Sequence, residues 1–267
     1  MPRASRHFLP GHVWHITHRC HKQQFLLKFA RDRRQWLHWL FEARKRYGLC
    51  VLNYVVTSNH IHLLVRDQGK GEIARSMQLV EGCTARQFNN RKCRTGAYWE
   101  DRYHATAIES GEHLARCMVY IDLNMVRAGV VEHPAEWAHN GYNEIFTPPC
   151  RYHLIEIEEL TQLLGFKHVD RMRATYRQWV QEALDKSKLV RESQWSESIA
   201  VGHPDFLESI RQELYPDIPG RHITEHNGTY QLSEESAAYW LNFTAKNGTL
   251  RQEESQNKTK SIMPIVG

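Results

Sequence analysis

The sequence predicts an α+β fold, on three observations. Short runs rich in β-branched residues alternate with a period of two, and between them lie longer segments whose apolar residues recur every three or four positions. Glycine or polar turn residues mark the joins. The chain has 267 residues and ordinary apolar content, enough for one sizeable domain and an addition to it.

The elements follow in order. His12-Val-Trp-His-Ile-Thr-His18 alternates and reads as a first strand, with Val13 and Ile16 as core contributors. From Arg31 to Tyr47 the residues Trp36, Leu40, Ala43 and Tyr47 keep helical spacing, and Gly48 follows as a stop. Val51–Thr57 and His60–Arg66 flank Thr57-Ser58-Asn59 as a hairpin. Gly69-Lys70-Gly71 leads into a second helix, Glu72 to Asn90, with Ile73, Met77, Val80, Thr84 and Phe88 on its buried stripe. After a basic loop, Tyr103–Ile108 reads as a fourth strand. The order β-α-β-β-α-β is ferredoxin-like. Two helices then cover one face of the sheet, and the other is expected to be free for a site.

Ser110 is expected to cap a third helix that runs from Glu112 to Ala128 and stops at Gly129. Pro148-Pro149 marks a boundary between a catalytic part, residues 1–147, and a helical C-terminal region, residues 148–247, with a polar disordered tail over 248–267. In that region Ile157–Gly165, Val169–Asp185 and Ser233–Lys246 read as helices. Trp195–Ala200, Val201-Gly202 and Asp205–Leu214 read as a candidate helix-turn-helix for DNA.

Lys and Arg outnumber Asp and Glu by 35 to 30, and the excess lies before Arg102, which makes that half the expected polyanion-binding surface. Six scattered cysteines without a Cys-x-x-Cys pair argue against a zinc ribbon and a disulfide framework, and fit a reducing compartment. With no signal-peptide pattern and no membrane-spanning run, the expected location is the bacterial cytoplasm.

Chemistry concentrates in two places. His60 and His62 share one face of their strand, about 6–7 Å apart by the strand rise, which suits a shared metal ion. An isolated pair of this kind is more often two half-exposed strand histidines. On the third helix Arg116, Tyr120, Asn124 and Arg127 lie in a row. A tyrosine hydroxyl is able to displace the 3′-oxygen of a DNA phosphodiester and form a 5′-phosphotyrosine. A divalent ion on His60, His62 and the Asn124 oxygen would polarise the scissile phosphate. Asn124, one helical turn past Tyr120, stands roughly 6 Å from it, so one ion serves both.

Asn59-His-Ile-His-Leu-Leu-Val65, Arg102-Tyr-His-Ala105 and Tyr120-Ile-Asp-Leu-Asn-Met-Val-Arg-Ala-Gly129 resemble the single-tyrosine HUH transposases, and more narrowly the REP-associated tyrosine transposases, as do Pro2-Arg3 and Arg6. The resemblance covers residues 1–145. It implies a metal-dependent endonuclease and strand transferase acting on single-stranded or hairpin DNA with Mg²⁺ or Mn²⁺. Tyr120 would be the nucleophile, and His60, His62 and Asn124 the metal ligands. Met125 stands where proline is usual, and Asp101 where glycine is common. Arg3, Arg6, Arg19, Arg102 and Arg127 are the expected DNA contacts. A regulator that binds DNA without chemistry is the alternative. A hydrolase activating water at His-x-His ranks last, since Asp67 is the only acidic neighbour on the strand. The subunit count, and whether Tyr120 acts in cis or in trans, are left open.

Overall fold

A computed structural model describes residues 8–185, 190–214, 221–226 and 229–234. The N-terminal part contains β1 (Val13–Arg19), α1 (Ala30–Tyr47), β2 (Cys50–Val56), β3 (His60–Arg66), α2 (Glu72–Arg91) and β4 (His104–Ile108). The strands stand in the order β2-β3-β1-β4, with every neighbouring pair antiparallel. This is the ferredoxin-like order that the sequence predicts.

Alternation decides what each face holds. Trp14 and Ile16 of β1 stand opposite Val65 and Leu63 of β3. Together with Ile61 these side chains are buried, as are Trp36, Leu40 and Ala43 of α1 and Ile73, Met77 and Val80 of α2. Each of the valine, leucine, isoleucine and methionine side chains among them contributes about 1.5–3 kcal/mol on burial. Val13 is buried as expected but has the opposite parity to Ile16, so the two serve different layers.

The second face is not free. It is covered by α3 (Glu112–Asp122), α7 (Val169–Asp185) and α8 (Gln194–Glu197). Leu114, Cys117, Met118 and Ile121 of α3 have no exposure, and neither do Met172, Tyr176 and Val180 of α7 or Trp195 of α8. Asp122 at the end of α3 fastens these layers: Asn53 Nδ2 on β2 donates to it at 3.0 Å and the Tyr176 hydroxyl at 2.5 Å. Burial nevertheless pushes this carboxyl up to about 7, against those two hydrogen bonds.

Four expectations are corrected. The third helix opens at Gly111, whose φ of +79° and ψ of −123° suit glycine, so Ser110 lies outside the cap. Nor is that helix continuous: Leu123, with ψ near 5°, separates α3 from a short α4 (Asn124–Arg127). The candidate helix-turn-helix does not form. Its intended turn is a strand, β5 (Ala200–Gly202), which pairs in parallel with β4 and precedes α9 (Pro204–Leu214). Ser233 and Glu234 end a strand rather than start a helix, because β6 (Arg221–His226) and β7 (Thr229–Glu234) form an antiparallel hairpin against β5.

After α5 (Gly141–Phe146), the C-terminal region is therefore helical only in part, with α6 (Ile157–Leu163), α7, α8 and α9 as its helices. It extends one mixed sheet to the order β2-β3-β1-β4-β5-β7-β6. The expected helix over 235–246 and the tail lie outside the described residues. No helix among the described residues is long and apolar enough to cross a membrane.

Candidate active site

The second sheet face carries two rows of side chains. In one row Val55 stands opposite His62, which faces Thr17, which faces His104; in the next, Asn53, Leu64, His15 and Thr106 follow in the same way. The His15 and His62 rings lie diagonally across β1 and β3, 5.0 Å apart and stacked. The rings of His60 and His62 are 5.1 Å apart at 81° to each other. α3 lays Tyr120 over this face, its ring 5.9 Å from His62 and 6.4 Å from His15. One turn later Asn124 places its amide nitrogen 3.0 Å from His62 Nε2. The two strand histidines, the phenol and the amide thus meet at one place.

Hydrogen bonds fix the protons. His15 Nδ1 lies 2.6 Å from the Trp195 carbonyl, which only accepts, so Nδ1 carries the hydrogen. His15 Nε2 then accepts from His62 Nδ1 at 2.9 Å, and the lone pair of His62 is left on Nε2. His60 Nδ1 lies 2.7 Å from Asn59 Oδ1 and donates to it, so its lone pair is also on Nε2. Thr57 Oγ1 accepts from the His60 backbone N–H at 3.0 Å and stiffens the turn. Burial lowers the pKa of His15 to about 3 and of His60 to about 4, and holds His62 well below the ordinary value, with neighbouring positive groups acting in the same sense. All three rings are neutral at pH 7, the state in which imidazole ligates a metal.

The phenol sits in a different balance. Tyr120 is only 6% exposed, and burial raises its pKa above the ordinary value. The guanidinium of Arg127 lies 4.0 Å above its ring and pulls the other way. An open groove of about 740 Å³ passes these groups. Arg19, Arg102 and Arg127 line it; Asp101 lies there too, and Glu100 and Glu197 add further negative charge. Arg3 and Arg6 lie outside the described residues.

Sequence reasoning missed His15, Trp195, Ser196 and Arg191. The last three bring the C-terminal region to the site: Arg191 and Ser196 line the groove, and the Trp195 ring lies 6.3 Å from that of Tyr120. His15 has a readable signal, its parity with Thr17 on an alternating strand, but only the β1/β3 register sets it diagonal to His62. A second cluster, Glu109, His113 and His203, gathers ligand-type atoms within 4.8 Å of one another.

The transposase family described as IS200-like matches residues 10–124, the stretch that carries β1 to β4, the histidine pair, Tyr120 and Asn124. This match supports DNA processing of the transposase kind. Among solved structures, the chain is similar to a REP-associated tyrosine transposase bound to a REP hairpin, at 18% identity and a TM-score of 0.46, over 55% of this chain and 86% of that one. A structure described as a transposase from Deinococcus radiodurans is similar at 14% identity and a TM-score of 0.32, over 48% and 92%. No curated protein sequence matches the chain.

Proposed function

We propose that the protein nicks and rejoins single-stranded DNA beside hairpins, with Tyr120 as nucleophile and with Mg²⁺ or Mn²⁺ held by His60, His62 and Asn124. The observation that carries this reading is the convergence of four groups from β3, α3 and α4, with both imidazoles neutral and their Nε2 lone pairs unprotonated. Two soft-to-borderline nitrogens and an amide oxygen suit a divalent ion, and the donor set needs only a half-turn of the Asn124 amide to present oxygen in place of nitrogen. When bound, the ion would polarise the scissile phosphate and offset its developing charge.

The chain's own residues do the rest. The Tyr120 oxygen forms a bond to phosphorus, the 3′-oxygen leaves with a proton, and the 5′-phosphate stays on the tyrosine. The phosphodiester energy is kept in that linkage, so a 3′-hydroxyl attacking the same phosphorus reseals the strand without ATP. Burial keeps the phenol protonated, and Arg127 is the charge that eases its ionisation. Arg19, Arg102 and Arg191 along the groove, with Arg3 and Arg6, would hold backbone phosphates. Arg191 makes residues 148–247 part of the DNA grip of the catalytic part, residues 1–147. The bacterial cytoplasm is the proposed location.

The test uses hairpin oligonucleotides from the DNA flanking the gene, incubated with protein and Mn²⁺ and separated on a denaturing gel. A protein–DNA adduct that needs the ion and falls by on the order of 10³-fold in Tyr120→Phe is expected. Tight hairpin binding with no adduct under any divalent ion would turn the reading to a DNA-binding regulator.

A further inference from the structure

At the far end of β4 the chain assembles a second set of ligand-type groups that the nicking chemistry does not use. Glu109 follows the last residue of β4, His113 lies in the first turn of α3, and His203 joins β5 to α9. Glu109 Oε2 is 2.8 Å from His203 Nδ1 and 3.3 Å from His113 Nδ1. The two imidazole rings meet edge to face, 4.7 Å apart.

Three features mark this as a built place. His113 is 5% exposed, and its Nδ1 is aimed into the cluster, facing Glu109 Oε2 at 3.3 Å but without hydrogen-bond geometry. Glu109 Oε2 is held in place by the His203 backbone N–H at 2.6 Å. And the residue beside it has to be glycine: a Cβ at Gly202 would run into the Phe206 ring and would also stand 2.8 Å from Glu109 Oε2 and 2.9 Å from its Cβ.

We propose that Glu109, His113 and His203 bind a transition-metal ion of the Zn²⁺ class, which clamps the C-terminal region to the junction of β4 and α3. Two imidazole nitrogens and one carboxylate oxygen are a Zn²⁺ ligand set that leaves one position for water. Ligand atoms around such an ion stand roughly 3.3 Å apart for bonds of about 2.0–2.1 Å. The two carboxylate–imidazole spacings, 2.8 and 3.3 Å, lie below and at that value, so closure needs only side-chain adjustment. Burial lowers the pKa of His113, with the Glu109 charge opposing, which favours the neutral ring that a metal requires. Two imidazoles bind Zn²⁺ far more tightly than Mg²⁺, so Mg²⁺ serves as the weak-binding comparison. The site is separate from His60, His62 and Asn124. It sits on the same helix as Tyr120, seven residues earlier, or roughly 10 Å along the axis.

The experiment is Zn²⁺ titration of the full chain, followed by calorimetry and by thermal unfolding, with Mg²⁺ as the control ion. His62→Ala serves as the background in which the proposed catalytic ion cannot bind well. In that background one Zn²⁺ is expected to bind and to raise Tm by about 5 °C at saturating metal. His203→Ala in the same background changes a side chain that is 64% exposed, so folding is preserved, and it is expected to weaken Zn²⁺ at least tenfold and remove the Tm shift. Glu109→Gln is expected to weaken it less, because an amide oxygen remains. A Tm shift that survives His203→Ala unchanged, or no Zn²⁺ binding in the His62→Ala background, would overturn the proposal. Either result leaves the nicking reading standing, because that reading is judged by the Tyr120 adduct.

Discussion

The molecule carries two histidine clusters on opposite ends of its central strands, and they are built on different principles. The cluster of His15, His60 and His62 is deep in the sheet, made of neutral rings, and finished by an amide. Its proton positions are set by a relay from the Trp195 carbonyl through His15. The cluster of Glu109, His113 and His203 is made from loop and helix ends around a carboxylate, with one ring exposed to solvent. A neutral ligand set leaves most of an ion's charge unspent and directed at a substrate phosphate. A set that includes a carboxylate neutralises part of that charge and suits holding two segments together. On the two proposals above, the same residue type serves chemistry in one place and attachment in the other.

The contrast fails if the two clusters respond alike. The largest separation is expected in DNA nicking with Mn²⁺. His62→Ala should reduce adduct formation by on the order of 10³-fold, whereas His203→Ala should leave it within about twofold; the gel assay reads both. Next comes the relay. His15→Leu removes the acceptor that fixes His62 Nδ1–H, and outer-shell losses of this kind cost roughly 10–100-fold in metal affinity. Mn²⁺ titration against the Tyr120→Phe chain checks this, and an unchanged affinity would show that the relay does not orient the ligand.

The smallest effect comes from a histidine outside both clusters. Burial, with Arg33 and Arg34 nearby, lowers the pKa of His139 to about 4. The ring stays neutral in the folded chain at a pH where the unfolded chain would charge it. Its contribution is present above pH 6.5 and is lost as pH falls from 6.5 towards 4. His139→Gln should flatten that part of the stability profile by roughly 1–2 kcal/mol, after allowance for solvent screening. Chemical denaturation at several pH values measures it.

What the sequence reveals follows from how far each signal reaches along the chain. The period-two run around His60 and His62, and the four-residue steps from Arg116 to Asn124, are local patterns, and they locate the proposed ligands and nucleophile. The order of the first four strands is likewise legible, since α1 and α2 announce themselves by their stripes. His15 is not legible as part of the site, because only pairing with β3 gives it His62 as a neighbour. Trp195 contributes a backbone carbonyl, which no side-chain pattern encodes. β5 has three residues, Ala-Val-Gly, too few to show a period, and it exists as a strand because β4 offers it a partner. Gly202, read from the sequence as a turn glycine, serves instead to make room for the Phe206 ring and for Glu109.

The pairing of β4 with β5 has one more consequence. Only Ala107 with Ala200 and Ile108 with Val201 are in register there, yet β7 and β6 hang from this junction. Without it β4 would be the sheet's margin, showing a row of unmet amides and carbonyls beside buried Ala107 and Ile108. Such margins recruit other chains and seed aggregation. A chain cut near residue 150 would therefore lose more than its C-terminal region: it would gain a sticky border and strip His15 of the carbonyl that orients it. Loss of DNA binding by such a fragment would say little about which residues touch DNA, and point changes such as Arg191→Ala in the intact chain are the cleaner probe of the grip.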